Sequence, residues 1–147
     1  MSAMHGDNCP PPIASRMRQA VSCMIGEHDF SAFRAAECQA KTPVKVLREL
    51  NISRRAELIR LEFAADAFLQ HMVRNIVGSL VYIGAGRQSS AWLDELLQGR
   101  DRTRAAPTFS PAGLYLSAVE YDTAWGLPPQ PDVHAIENAM LAGAHAA

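Results

Sequence analysis

The sequence predicts an α+β fold: a mainly antiparallel sheet with helices packed on one face. Three observations carry this. Two alternating runs flank the polar turn Arg54-Arg55-Ala56-Glu57 and read as a hairpin. A long apolar stripe at helical spacing follows over residues 68–83. The elements come in the order helix, strand, strand, long helix, short helix, strand.

Residues 1–12 are polar, end in Pro10, Pro11 and Pro12, and read as a lead-in. From Ile13, the apolar residues Met17, Ala20, Val21, Met24 and Ile25 recur at helical spacing, with Gly26 placed to terminate the helix. A loop containing Gly26-Glu27-His28-Asp29-Phe30-Ser31-Ala32-Phe33-Arg34 follows. Val44, Val46, Leu50 and Ile52 share one parity, interrupted by Arg48, and mark the first strand of the hairpin. Ile59, Leu61 and Phe63 alternate with Arg60 and Glu62 and mark the second.

Leu69, Met72, Val73, Ile76, Val77, Leu80 and Ile83 give the long helix a wide apolar face, and Gly84 and Gly86 end it. Ser90 is placed to cap a short helix over residues 91–98. Residues 100–111 form a loop with three arginines and two prolines, and residues 114–121 alternate as a third strand. The domain expected from these elements covers residues 13–122, followed by a Pro- and Ala-rich tail over 123–147.

The 147 residues correspond to one domain, 48% apolar and 20% charged. That composition excludes a disordered chain, a coiled coil and a collagen-like repeat. No apolar run approaches the roughly 18 residues of a membrane span. No basic segment followed by an apolar stretch marks a secretory leader. Cys9, Cys23 and Cys38 are odd in number, lack metal-ligand spacing, and fit free thiols in a reducing cytoplasm. The net charge is −1, yet residues 41–104 hold 11 Lys or Arg against 7 Asp or Glu, a net of +4. Either a nucleic-acid surface or ordinary solvated faces accounts for that.

Chemistry concentrates on the long helix. His71, Arg74, Asn75 and Gly78 fall at i, i+3, i+4 and i+7, a single stripe. Glycine inside a helix costs roughly 1 kcal/mol relative to alanine, which is sensible where a backbone or ligand comes close. Arg74 lies among Met72, Val73, Ile76 and Val77 and needs a carboxylate or phosphate partner. A local Asp or Glu would satisfy it equally, with His71 an ordinary surface histidine. Arg100, Arg102 and Arg104 can track phosphates or form a solvated loop. Glu27-His28-Asp29 are adjacent residues without a second cluster, which disfavours a metal site. No electropositive setting for a nucleophilic thiol, no Walker loop and no dinucleotide fingerprint is found.

Four strings in order resemble a known family: Gly26 through Arg34; Phe68-Leu69-Gln70-His71-Met72-Val73-Arg74-Asn75-Ile76-Val77-Gly78; Arg100 through Ala106-Pro107-Thr108; and Gly113-Leu114-Tyr115-Leu116. Together they are similar to the C-terminal half of the tRNA pseudouridine synthase A family, from about residue 13 to 121. The resemblance implies an isomerase that converts uridine to pseudouridine in the tRNA anticodon stem-loop. It implies a homodimer with no metal and no organic cofactor. The target base must leave its stack before it can detach, rotate and rejoin through carbon.

The family's catalytic aspartate belongs to an Arg-Thr-Asp-Xaa-Gly-Val-His motif of the N-terminal half, and no such string occurs here. Asp101 has the wrong neighbours for that role. The chain alone is therefore expected to be inactive, to need the other half, and to leave apolar surface exposed. By the resemblance, Arg74 is the arginine that pairs with the aspartate. Phe68, His71, Met72 and Asn75 are expected near the same cleft, and Leu114 and Tyr115 in the uracil pocket. Arg100, Arg102 and Arg104 are expected to be phosphate contacts or structural loop residues. The alternative function is a non-catalytic RNA-binding or dimerisation module.

Overall fold

The computed structural model describes residues 13–114 and residue 142. The chain divides into two units, Met1–Ser110 and Pro111–Ala147. The first contains α1 (Ile13–Ala20), β1 (Gly26–Asp29), β2 (Val44–Arg55), β3 (Leu58–Ala65), α2 (Met72–Gly84) and α3 (Trp92–Gly99). Three 3-10 turns, Val21–Met24, Ser31–Phe33 and Arg102–Arg104, join them.

The sheet is antiparallel with order β1-β2-β3. The α+β architecture expected from the sequence is therefore what forms. Leu47, Leu50 and Ile52 of β2 are buried. They share one core with Met17 of α1, Ile76, Leu80 and Ile83 of α2, and Leu93, Leu96 and Leu97 of α3. Phe30 and Phe33, both fully buried, anchor the segment between β1 and β2 in that core. Each such phenylalanine contributes roughly 1.5–3 kcal/mol of burial.

The imperfect parity of β2 has a local cause. Leu47 opposes Ala65 while Glu49 opposes Ala64, so Arg48 is an extra residue in a bulge. The bulge switches the buried parity from Leu47 to Leu50 and Ile52 and leaves Arg48 outside. The turn Ala56-Glu57 closes the hairpin with Ala56 at φ 53°.

Four boundaries differ from the sequence expectation. The first helix tightens into a 3-10 turn after Ala20, and Gly26, at φ 105°, opens a strand instead of capping a helix. Residues 26–29, expected as loop, pair with β2 because backbone ladder bonds need no apolar periodicity. The long helix begins at Met72, not at 68, because His71 holds a left-handed φ of 62° that no helical residue adopts. The short helix begins at Trp92, with Ala91 at its N-cap and no side-chain cap from Ser90.

Within the second unit, Gly113 has φ 85° and the Leu114 N–H donates to Pro111 O at 3.1 Å. The expected third strand lies outside the described residues apart from Leu114, and so does Tyr115. The lead-in over 1–12 lies outside them as well.

Candidate functional site

Arg74, Asn75 and Gly78 of the polar stripe meet the segment 102–109, each in a different way. Gly78 is buried against Pro107, whose carbonyl oxygen occupies the space a side chain would need. Arg74 and Phe109 exchange two bonds: Arg74 Nε donates to Phe109 O at 2.8 Å, and Phe109 N donates to Arg74 O at 3.2 Å. The guanidinium is thus tethered by Nε at the half-exposed start of the helix. Among the described residues, its two terminal nitrogens meet no carboxylate. They form a planar fork suited to a carboxylate or phosphate oxygen pair.

Asn75, with 0% exposure, joins three segments. Its Nδ2 donates to Phe33 O at 2.8 Å. Its Oδ1 accepts from Arg102 Nη2 at 2.9 Å and from Thr108 Oγ1 at 2.7 Å. One helical turn on, the buried Ser79 hydroxyl donates to Asn75 O at 3.2 Å and accepts from Ala106 N at 3.4 Å. The buried polar groups of Asn75 and Ser79 are thus bonded, as burial requires.

Arg102 is part-buried and turned inward. Besides Asn75, it reaches Ala106 O through Nη1 at 2.9 Å and Thr108 Oγ1 through Nη2 at 3.1 Å. Asp101 caps the Arg102–Arg104 turn, accepting from Thr103 N at 3.0 Å and Thr103 Oγ1 at 2.6 Å. The two Thr103 bonds hold the Asp101 carboxyl below the usual carboxylate range. Arg104 is exposed. Arg100, at φ 54° where α3 ends, is exposed and lies 3.7 Å from Asp29.

The string Gly26 to Arg34 builds a strand end and a turn. His28 Nε2 bonds Ile25 O at 2.9 Å, and Asp29 Oδ1 accepts from Ser31 N at 2.9 Å and Ser31 Oγ at 2.5 Å. Partial burial pushes the Asp29 carboxyl up, but the Ser31 bonds and the charges of Arg100 and Arg34 bring it below its ordinary value. Glu27, His28, Asp29, Leu97, Gln98 and Arg100 line a cleft of about 170 Å³. No group of three or more metal-ligating side chains is placed together among the described residues.

Of the residues expected near a cleft, Phe68 is 41% exposed and His71 is half-buried at the N-cap of α2. Met72 is fully buried in the core, and Asn75 is closed from solvent by its three partners. Leu114 is exposed, in the second unit. Thr108 closes the third resembling string but has no role assigned there, and neither Ser79 nor the Phe109 carbonyl is marked by the sequence. The one available signal was Gly78, whose missing side chain marks where the segment lands.

The family model for tRNA pseudouridine synthase matches residues 20–122. The chain is similar to the tRNA pseudouridine synthase A of Paraburkholderia phymatum, 57% identical over 76% of this chain and 42% of the relative. It resembles the enzyme of that name from a Janthinobacterium species at 58% identity, covering 77% of this chain and 42% of the relative. The one from Thiobacillus denitrificans is 59% identical over 76% of this chain and 43% of the relative. The chain thus spans about two fifths of the length of the curated relatives it matches. No helix among the described residues is long and apolar enough to cross a membrane. With the model match and identities of this size, the chain belongs to the tRNA pseudouridine synthase family.

Proposed function

We propose that residues 13–122 are the C-terminal domain of a cytoplasmic tRNA pseudouridine synthase A. The whole enzyme isomerises uridine to pseudouridine in the anticodon stem-loop of tRNA, as a homodimer. The relatives are named tRNA pseudouridine synthase A, which supports the reaction and the tRNA substrate. The observation that carries the reading is the Arg74 fork: tethered at Nε, at the start of α2, with its terminal nitrogens free of any described carboxylate.

In this reading the fork receives the catalytic aspartate of the other half. A guanidinium beside a carboxylate keeps it ionised and fixes its direction. The uridine is taken out of its stack, the N1–C1′ bond breaks, the base rotates, C5 bonds to C1′ and gives up its proton, and N1 takes one up, so the atoms balance. In this reading Phe68, which is exposed, and His71, at the N-cap of α2, border the extruded nucleotide. Their exposure on the segment after α3 supports Arg100 and Arg104 as phosphate contacts. The net +4 of residues 41–104 favours approach of a polyanion.

The test is pseudouridine formation on unmodified tRNA, with the 147-residue chain alone and with the aspartate-bearing half added. Turnover only in the mixture is expected. Turnover by the chain alone refutes its dependence on the other half. No turnover in the mixture, together with salt-sensitive tRNA binding, would favour the non-catalytic RNA-binding module.

A further inference from the structure

The contacts of Arg102 separate it from its neighbours Arg100 and Arg104. Both of its Nη atoms are committed to acceptors inside the protein: Ala106 O, Asn75 Oδ1 and Thr108 Oγ1. The Thr108 hydroxyl accepts from Arg102 and gives its one proton to Asn75 Oδ1. Asn75 Oδ1 receives both donors while Nδ2 faces Phe33 O, so turning the amide over would break three bonds. Asn75 is next to Arg74 on the helix, and Thr108 is next to Phe109, the residue that tethers Arg74.

We propose that Arg102, Thr108 and Asn75 form a positioning lock for Arg74. The lock holds Thr108 against α2, which places the Phe109 carbonyl at the Nε of Arg74 and leaves the guanidinium fork in one orientation. Arg102 is thereby a positioning residue and not a phosphate contact. The inference rests on the reading of Arg74 as the arginine that faces the catalytic aspartate. A flexible arginine would have to be ordered each time the carboxylate approached, whereas a tethered one is ordered beforehand. Because Phe109 holds only Nε, the tether leaves both terminal nitrogens available.

The test uses the 147-residue chain and reads the Arg74 side chain itself. Nitrogen-15 relaxation of the arginine Nε–H groups, with the Arg74 signal assigned by its loss in Arg74→Lys, is expected to show a rigid Nε. In Thr108→Val, which removes the hydroxyl but keeps the shape, its order parameter should fall to below about 0.6. Arg102→Lys, which keeps the charge but loses the fork, should do the same. If Arg102→Lys does not fold, Thr108→Val decides. A Nε that stays rigid in folded Thr108→Val overturns the lock.

A second measurement separates positioning from RNA contact. Loss of one phosphate contact lowers the slope of log affinity against log salt by roughly 0.7–0.9. Arg102→Gln should leave the slope for tRNA unchanged, and a drop of that size overturns its assignment. Should the chain alone bind no tRNA, the alternative of an RNA-binding module falls, and the relaxation measurement alone decides the lock.

Discussion

Gly78 of α2 and Pro107 are in direct backbone contact: a β-carbon on residue 78 would lie 2.4 Å from Pro107 O. Alanine favours a helix over glycine by roughly 1 kcal/mol, so an unhindered Gly78→Ala would stabilise. Here the opposing atom is backbone and cannot rotate away. The expected outcome is a net loss of about 1–3 kcal/mol, the usual cost of overpacking, read from the denaturant midpoint. An unchanged or raised midpoint would show that the segment after Ala106 yields freely.

Phe33 joins core and site, since its ring is fully buried and its carbonyl accepts from Asn75. Phe33→Ala should destabilise by about 3–5 kcal/mol, from lost burial and the cavity left behind. Chemical denaturation checks this. A change under about 1 kcal/mol would mean that the core is not organised around this ring.

Asp29 makes stability pH-dependent. Its folded carboxyl titrates below its ordinary 3.8, so the unfolded chain takes up the proton first on acidification. Its contribution is fully present above that ordinary value and is lost as pH falls from there through the folded value. In Asp29→Asn the stability difference from the parent should therefore be flat at neutral pH and shrink below about pH 4. A difference unchanged down to pH 2 would refute the role given to Ser31, Arg100 and Arg34.

The two described cysteines should label differently. Burial, and then the charge of Asp94, push the Cys23 thiol up to about 11. The backbone N–H groups near Cys38, those of Ala40 and Gln70 first, and then Arg34, bring its thiol below the ordinary value. In a Cys9→Ser background, a thiol reagent near pH 8 should modify Cys38 first and Cys23 only slowly or on unfolding. Peptide mapping after timed alkylation gives the order, and equal rates would contradict it.

Arg74→Lys keeps a charge but has no Nε for Phe109 O and no planar fork. With the other half supplied, pseudouridine formation should fall by roughly 10–100-fold, the range for one charge-assisted hydrogen-bonding site. Rates within about twofold of the parent would remove Arg74 from the catalytic arrangement.

The hairpin and the long helix were legible because their buried faces repeat at the period of the backbone that carries them. The turn at Ala56-Glu57 and the core residues Leu50, Ile52, Ile76 and Leu80 fall where alternation and helical spacing put them. Other features have no periodic trace. β1 is held by ladder bonds between backbone groups, and the Arg48 bulge moves the buried parity without altering composition. His71 breaks the helix by its φ alone, within a run whose side chains remain helical in pattern.

The candidate site divides in the same way. The family resemblance and the stripe His71, Arg74, Asn75 and Gly78 were legible in the sequence. Residue type and spacing along a helix suffice for those. Which arginine after α3 faces inward was decided by the tertiary structure. Arg100, Arg102 and Arg104 are alike as residues, but Arg102 alone lies within reach of Asn75 Oδ1 and Thr108 Oγ1. A guanidinium takes whichever acceptors the fold brings to it. The pairing of residue 102 with residue 75 spans 27 positions of sequence and has no trace in local pattern.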